Sequence, residues 1–154
     1  MLIPFLVAGA VLLIDQLSKY LVHLKLVPGE SVPIIKNVFH ISLIHNTGCV
    51  FGLFRHQATI LMALSILTIV MILVFYRQLV GSGRIMRVAV GLLIGGASGN
   101  LIDRLRFGYV VDFLDFQIWP VFNLADSAVT IGVVLILWNL FHKRCSRSPC
   151  ASRG

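Results

Sequence analysis

Four apolar runs organise the chain: Leu2 to Leu24, Ala58 to Tyr76, Val88 to Ile102 and Leu124 to Phe141. Each is close to the ~20 residues that cross ~30 Å of hydrocarbon, so each predicts a spanning helix. With the polar end of the third run included, the spans fall at about 2–24, 58–76, 88–107 and 124–141. Between the first two the period changes. Phe39, Ile41 and Leu43 alternate with His40, Ser42 and Ile44, which reads as a short strand or hairpin within an external segment, 25–57. The expected fold class is an all-α integral membrane protein: four transmembrane helices with a small extracytoplasmic β-rich segment. The spans use about half of the 154 residues, leaving room for one membrane-embedded domain (1–154) and no separate soluble one.

Composition strengthens this reading. The chain is 58% hydrophobic and 12% charged, with mean hydropathy +0.93, outside the range of ordinary soluble domains. The net charge of +7 raises the question of nucleic acid, but the cations are placed for a membrane. Arg77, Arg84 and Arg87 separate the second and third runs, and Lys143, Arg144, Arg147 and Arg153 form a basic tail, 142–154, with no acid in either segment. Both segments are expected on the cytoplasmic side, together with both termini. The first run has no basic residues before it, and Asp15, Lys19 and His23 stand where a cleavage site would need small residues, so a retained helix is expected. The three cysteines give no disulfide framework, and Cys and His show no metal-ligand spacing. No cofactor is expected.

The polar residues inside this apolar frame are the candidate chemistry. Asp15, Lys19 and His23 recur every four residues and form one stripe on the first helix, either an ion pair joining helices or part of a site lining. "NTG" at 46–48 signals a turn, with Gly48 able to take unusual backbone angles and Asn46 able to donate and accept. Gly91, Gly95 and Gly99, four apart, predict close helix packing. Asn100, Asp103 and Arg104 follow at the outer interface, where the cations either snorkel or join a hydrogen-bonded shell. Asp112 and Asp126 are 14 positions apart, too far to cooperate along one helix. Pro120 breaks any helix between them, so the chain can turn and bring both between the outer ends of helices three and four. Taken alone, Asp126 also fits the third position of a helix capped by Asn123.

Read together, "DQLSK" (15–19), "HNTGCVFG" (45–52), "GNLIDR" (99–104), "VVDF" (110–113) and "FNLADSA" (122–128) have the order and approximate spacing of the lipoprotein signal peptidases. The sequence resembles that family, signal peptidase II, over essentially its whole length. The resemblance implies an aspartyl endopeptidase of the bacterial inner membrane that cleaves on the N-terminal side of the diacylglyceryl-modified cysteine of a prolipoprotein. It places the catalytic pair at Asp112 and Asp126. Asp15, Lys19, Asn46, Gly48, Asn100, Asp103, Arg104, Asn123 and Ala125 fall on other motif positions, as substrate-binding or site-supporting residues. Cys49-Val50 depart from the small residues, often Ala-Ala, that usually follow "NTG" in the family, which bears on the shape of the external loop.

The residues suit that chemistry on their own. Two carboxylates sharing one proton supply a base for water and an acid for the carbonyl, without a metal. Asn46, Asn100, Asn123 and Arg104 are expected to orient the pair or the substrate backbone. Cys49 lacks a demonstrated base and is expected not to be a nucleophile. The expected partners are a lipid-modified prolipoprotein and the phospholipid bilayer, not nucleic acid, and the chain is expected to act as a monomer with its site towards the extracytoplasmic side. The rivals are a small proton-coupled transporter using intramembrane carboxylates, for which the inner half lacks acids, and a structural assembly subunit, which leaves the five motifs a coincidence.

Overall fold

The computed structural model describes residues 2–48 and 57–145. The expectations for Cys49, for the apolar stretch Val50 to Phe54 and for the tail beyond Cys145 lie outside the described residues. In chain order the elements are α1 (Ile3–Lys25), β1 (Ser31–Ile35), β2 (Phe39–Asn46), α2 (Gln57–Val74), α3 (Tyr76–Val80), α4 (Arg84–Phe107), β3 (Val110–Asp115) and α5 (Leu124–Cys145).

Among the described residues three helices are long and apolar enough to cross a membrane: Ile3–Lys25, Arg84–Phe107 and Leu124–His142. The apolar stretch of α2, Thr59–Val74, is shorter. Exposed Phe5, Leu6, Leu13 and Leu17 on α1, and Val134, Leu137 and Phe141 on α5, suit surfaces that face lipid rather than water. The central helix is α4, which packs against α1, α2 and α5.

Glycine spacing explains why α4 can take that place. A Cβ on Gly91 would stand 2.7 Å from the Pro4 carbonyl oxygen, and one on Gly95 would stand 2.7 Å from the Ala8 carbonyl oxygen. On another face of α4, a Cβ on Gly96 would meet the Ala125 carbonyl oxygen of α5 at 2.5 Å. The predicted small-residue stripe is therefore a contact surface for α1, and Gly96 extends the same device to α5. Near the α2–α3 junction, Ile72, Val80, Met86, Val90 and Leu93 form an apolar core.

At the other end, α4 stops at Gly108, whose φ of 79° lies in the left-handed region and whose N–H donates to the Arg104 carbonyl. The chain then enters β3. The three strands form an antiparallel sheet in the order β1-β2-β3, with Val32 opposite Ile41, His45 opposite Val111 and Asn46 opposite Val110. Among the described residues the external segment thus supplies two of the three strands. The third follows the third predicted span, where the sequence pattern carried no strand signal. Val110, Val111, Asp112 and Phe113 are all buried, because β3 lies between β2 and the ends of α1 and α4. A strand covered on both faces has no alternation to read.

Beyond β3 the chain doubles back, as Pro120 suggested. Gln117 takes a φ of 63°, and Phe122 pairs with Leu114, donating its N–H to the Leu114 carbonyl at 3.1 Å and accepting from the Leu114 N–H at 2.8 Å. This return delivers Asn123 and the first turn of α5 beside β3.

Candidate active site

Two layers of polar residues fill the space where α1, α4, α5 and the sheet meet. The deeper layer is ionic. Lys19 Nζ lies 2.8 Å from Asp15 Oδ2 and 2.8 Å from Asp103 Oδ2, with all three residues buried. Asp15 Oδ1 accepts the Ala125 backbone N–H at 3.0 Å, and Asp103 Oδ2 accepts the Val111 N–H at 3.3 Å. One ion cluster therefore ties α1 to α4, α5 and β3. Gly99 makes room for it, since a Cβ there would stand 2.6 Å from Asp15 Oδ2. Of the predicted stripe, Asp15 and Lys19 belong to this cluster. His23 does not, and its ring lies tilted beside that of His45 instead, with centroids 5.4 Å apart. Gln16 was not singled out from the sequence. Its amide donates to Asp103 Oδ1 at 2.9 Å and to the Gly99 carbonyl at 3.3 Å. The only available signal was an amide inside an apolar run beside Asp15.

The upper layer holds the two carboxylates in a frame of three asparagine amides. Asp112, on β3, accepts at Oδ2 from Asn46 Nδ2 at 2.7 Å and at Oδ1 from Asn123 Nδ2 at 2.6 Å. Asp126, in the first turn of α5, accepts at Oδ1 from Asn100 Nδ2 at 2.7 Å. Asn123 also donates to Asn100 Oδ1 at 3.1 Å, so the amides link the two acids. The layers meet where Lys19 Nζ donates to Asn100 Oδ1 at 3.1 Å.

Local geometry fixes each amide. Asn46 closes a turn by accepting the Gly48 N–H at 2.8 Å, with Gly48 at φ 80°. Asn123 accepts the Asp126 N–H at 2.9 Å, while Asp126 Oδ2 accepts the Asn123 N–H at 3.3 Å. That reciprocal pair is an N-terminal capping box. The capping reading of Asp126 and the reading that places it beside Asp112 thus hold together, through its two different oxygens. Ala125 is fully buried between them, its N–H bound to Asp15. Arg104 is half-buried, donates to the Asn100 carbonyl at 3.4 Å, and lies within electrostatic reach of Asp126, Asp112 and Asp103. The structure brings all eleven predicted site residues, Gly48 through its turn, into this one region.

Burial pushes the Asp112 carboxyl from its ordinary 3.8 up to about 6. The hydrogen bond from Asn46 opposes the shift and the charge of Asp126 reinforces it, while Asn123 and Lys19 pull the other way. An acid in that range beside a second carboxylate can hold or release a proton close to neutrality. A cavity of about 420 Å³ opens beside Asp126, lined by Trp119, Phe122, Ser127, Thr130 and Ile131. Asp126 is therefore flanked by space with a mainly apolar wall.

The chain is similar to known proteins over nearly its whole length. A lipoprotein signal peptidase of Moorella thermoacetica is 49% identical over 138 residues, covering 89% of this chain and 92% of its own. One from Halothermothrix orenii is 47% identical over 139 residues, covering 90% and 95%. A solved bacterial membrane enzyme superposes with a TM-score of 0.83 at 31% identity, covering 97% of this chain and 94% of its own. A second does so with a TM-score of 0.77 at 34% identity, covering 89% and 91%. The family model described as Signal peptidase (SPase) II matches residues 7–142, and the chain belongs to the signal peptidase II family of membrane hydrolases.

Proposed function

We propose that the protein removes signal peptides from lipid-modified prolipoproteins, cutting on the N-terminal side of the lipidated cysteine, with Asp112 and Asp126 as its catalytic pair. The observation that carries the assignment of the pair is the shared frame, in which Asn46, Asn123 and Asn100 aim amide N–H groups at both carboxylates. In this mechanism one Asp is ionised and takes a proton from water as the oxygen attacks the scissile carbonyl carbon. The other gives its proton to the carbonyl oxygen, forming a gem-diol. Collapse breaks the C–N bond as the Asp that took the water proton gives it to the leaving amine and the other Asp takes a proton back from the gem-diol, which restores the pair. The products are the carboxyl end of the signal peptide and the free amino group of the lipidated cysteine.

The substrate's lipid tails remain in the bilayer, and the mainly apolar cavity beside Asp126 suits an approach from that side. In this reading α2 is the fourth span, both termini are cytoplasmic, the sheet and carboxylates lie towards the extracytoplasmic side of the inner membrane, and the chain works as a monomer. Its support is the basic α2–α4 connection and tail, which carry no acid. The transporter reading lacks a route: the six acids, Asp15, Glu30, Asp103, Asp112, Asp115 and Asp126, belong to the site region or to the sheet and the segment leading into it.

The test is turnover of a lipid-modified precursor peptide by purified Asp112→Asn, Asp126→Asn and double variants. Each single variant is expected to remain folded, bind precursor and lose at least ~10³-fold in kcat, with the double variant scarcely worse, because members of one catalytic unit are non-additive. A role confined to capping predicts the contrary for Asp126→Asn: a loss of roughly 1 kcal/mol in stability with turnover mostly kept. A well-folded Asp126→Asn enzyme with near-native turnover sinks the assignment.

A further inference from the structure

An asparagine amide has two ends of nearly equal shape, and half a turn about its last bond exchanges donor for acceptor. For a frame of amides around two carboxylates, that half-turn decides whether an N–H or an oxygen faces the acid. Asn46 and Asn123 are set locally: the Gly48 and Asp126 backbone N–H groups demand their oxygens, so their Nδ2 groups must point the other way. Asn100 differs. It lies inside α4, and its Oδ1 is claimed from other segments, by Lys19 Nζ at 3.1 Å and Asn123 Nδ2 at 3.1 Å. Turned over, it would set its NH2 group against an ammonium and its oxygen against Asp126 Oδ1.

We propose that Lys19 is a positioning residue for the carboxylate pair, its buried ammonium fixing the Asn100 amide so that Nδ2–H points at Asp126. The proposal rests on Asp112 and Asp126 being the catalytic pair. Lys19 is suited to the task because it has no freedom of its own. It is 3% exposed, and its three N–H donors match three acceptors, Asp15 Oδ2, Asp103 Oδ2 and Asn100 Oδ1. The charged and titratable groups around this path are Asp15 on α1, Asp103 and Arg104 on α4, Asp112 on β3 and Asp126 on α5, with His23 and Arg106 lining the cavity beside the ammonium. Lys19 is the one cation among them that hydrogen-bonds the side chain of an amide in the frame. Its charge also bears on Asp112. Removing it leaves Asn100 with a single partner for its oxygen and lets Asp112 keep its proton to higher pH.

A cavity of about 200 Å³ opens beside the ammonium, with Gln16, Tyr20, His23, Asp103 and Arg106 among its lining residues. A small amine can therefore reach the space that truncation of Lys19 would leave.

The test compares purified wild type with Lys19→Met, which keeps length and loses charge, Lys19→Arg, which keeps charge, and Lys19→Ala with and without ethylammonium. Thermal stability, KM, kcat and the pH profile are read on the same preparations. Lys19→Met is expected to lose at least roughly tenfold in kcat, the scale of one hydrogen bond to a charged group, with KM within about threefold and the pH optimum moved upward. Lys19→Arg is expected to retain the wild-type optimum, and ethylammonium to restore kcat to Lys19→Ala without affecting wild type. If Lys19→Met does not fold, because Asp15 and Asp103 are left buried without their cation, Lys19→Met with Asp103→Asn is measured in its place. A lower stability with an unmoved pH optimum assigns Lys19 a purely structural role and overturns the proposal. Asp112→Asn and Asp126→Asn are assayed alongside. If they keep turnover, the catalytic pair itself falls. If they lose it while the Lys19→Met optimum stays in place, only the role of Lys19 falls.

Discussion

Asp112 and Asp126 have the same chemistry in unequal surroundings. Asp112 is 1% exposed and receives an amide on each oxygen, whereas Asp126 is half-buried and shares one oxygen with its own helix cap. Burial is the leading reason that Asp112 stands at about 6, and the negative charge of Asp126 adds to it. Asp112 therefore gives up its proton as pH rises through about 6. Below it Asp112 holds a proton that it can give to the carbonyl oxygen; above it that proton is gone. The sign follows: kcat/KM, which reports the free enzyme, is expected to fall as pH rises through about 6. The corresponding limb of kcat should lie higher, since bound substrate excludes water and further disfavours the doubly charged pair. Profiles of both parameters check this. A kcat/KM still rising well above pH 6 contradicts the placement of the proton on Asp112.

At the scale of elements, the site depends on how closely α1 and α4 approach, because Asp15 and Lys19 must reach Asn100 and Asp103 across that contact. Gly95 lies in its middle, and an added methyl would stand 2.7 Å from a backbone oxygen of α1, which cannot rotate away. Gly95→Ala is expected to cost about 1–3 kcal/mol, the usual range for overpacking, and to lower turnover as well by parting the ion cluster. Gly9→Ala is the control, since nothing lies within 4 Å of its added Cβ. Thermal transitions and turnover of the two variants check the expectation, and equal behaviour would contradict it. This contact was legible in the sequence because glycines four apart mark one helix face. The Asn123–Asp126 cap and the strand at Phe39–Asn46 were legible for similar reasons, as local patterns. What was not legible is what tertiary contact decides. β3 showed no alternation because both its faces are covered, and Gln16 carried no periodic signal because its partners on α4, Gly99 and Asp103, lie 83 and 87 residues away. The motifs located the acids, but which amide faces which oxygen emerged only with the fold.

Across the whole molecule the chemistry gathers at one end. Acids, asparagines and the sheet meet where α1 and α4 finish and α5 begins, while the opposite end carries Arg77, Arg84 and Arg87 around the α2–α4 connection. A protease acting on a substrate whose lipid stays in the bilayer needs water at one interface and hydrocarbon beside it, so this polarity suits the function. The positive-inside rule supports the proposed orientation, with the basic end cytoplasmic and the carboxylates outward. Single cysteines at positions 36, 84 and 148 test this after Cys49, Cys145 and Cys150 are replaced. Lys36 lies in the exposed connection between β1 and β2, Arg84 is exposed at the start of α4, and Ser148 is in the basic tail. An impermeant thiol reagent added to intact spheroplasts should label Lys36→Cys alone, and lysis should release labelling of Arg84→Cys and Ser148→Cys. The same reagent also counts the spans, because positions 36 and 84 can face opposite sides only if α2 crosses the bilayer. Labelling of Arg84→Cys from outside would deny α2 its crossing, and labelling of Ser148→Cys from outside would place the carboxyl terminus on the wrong side.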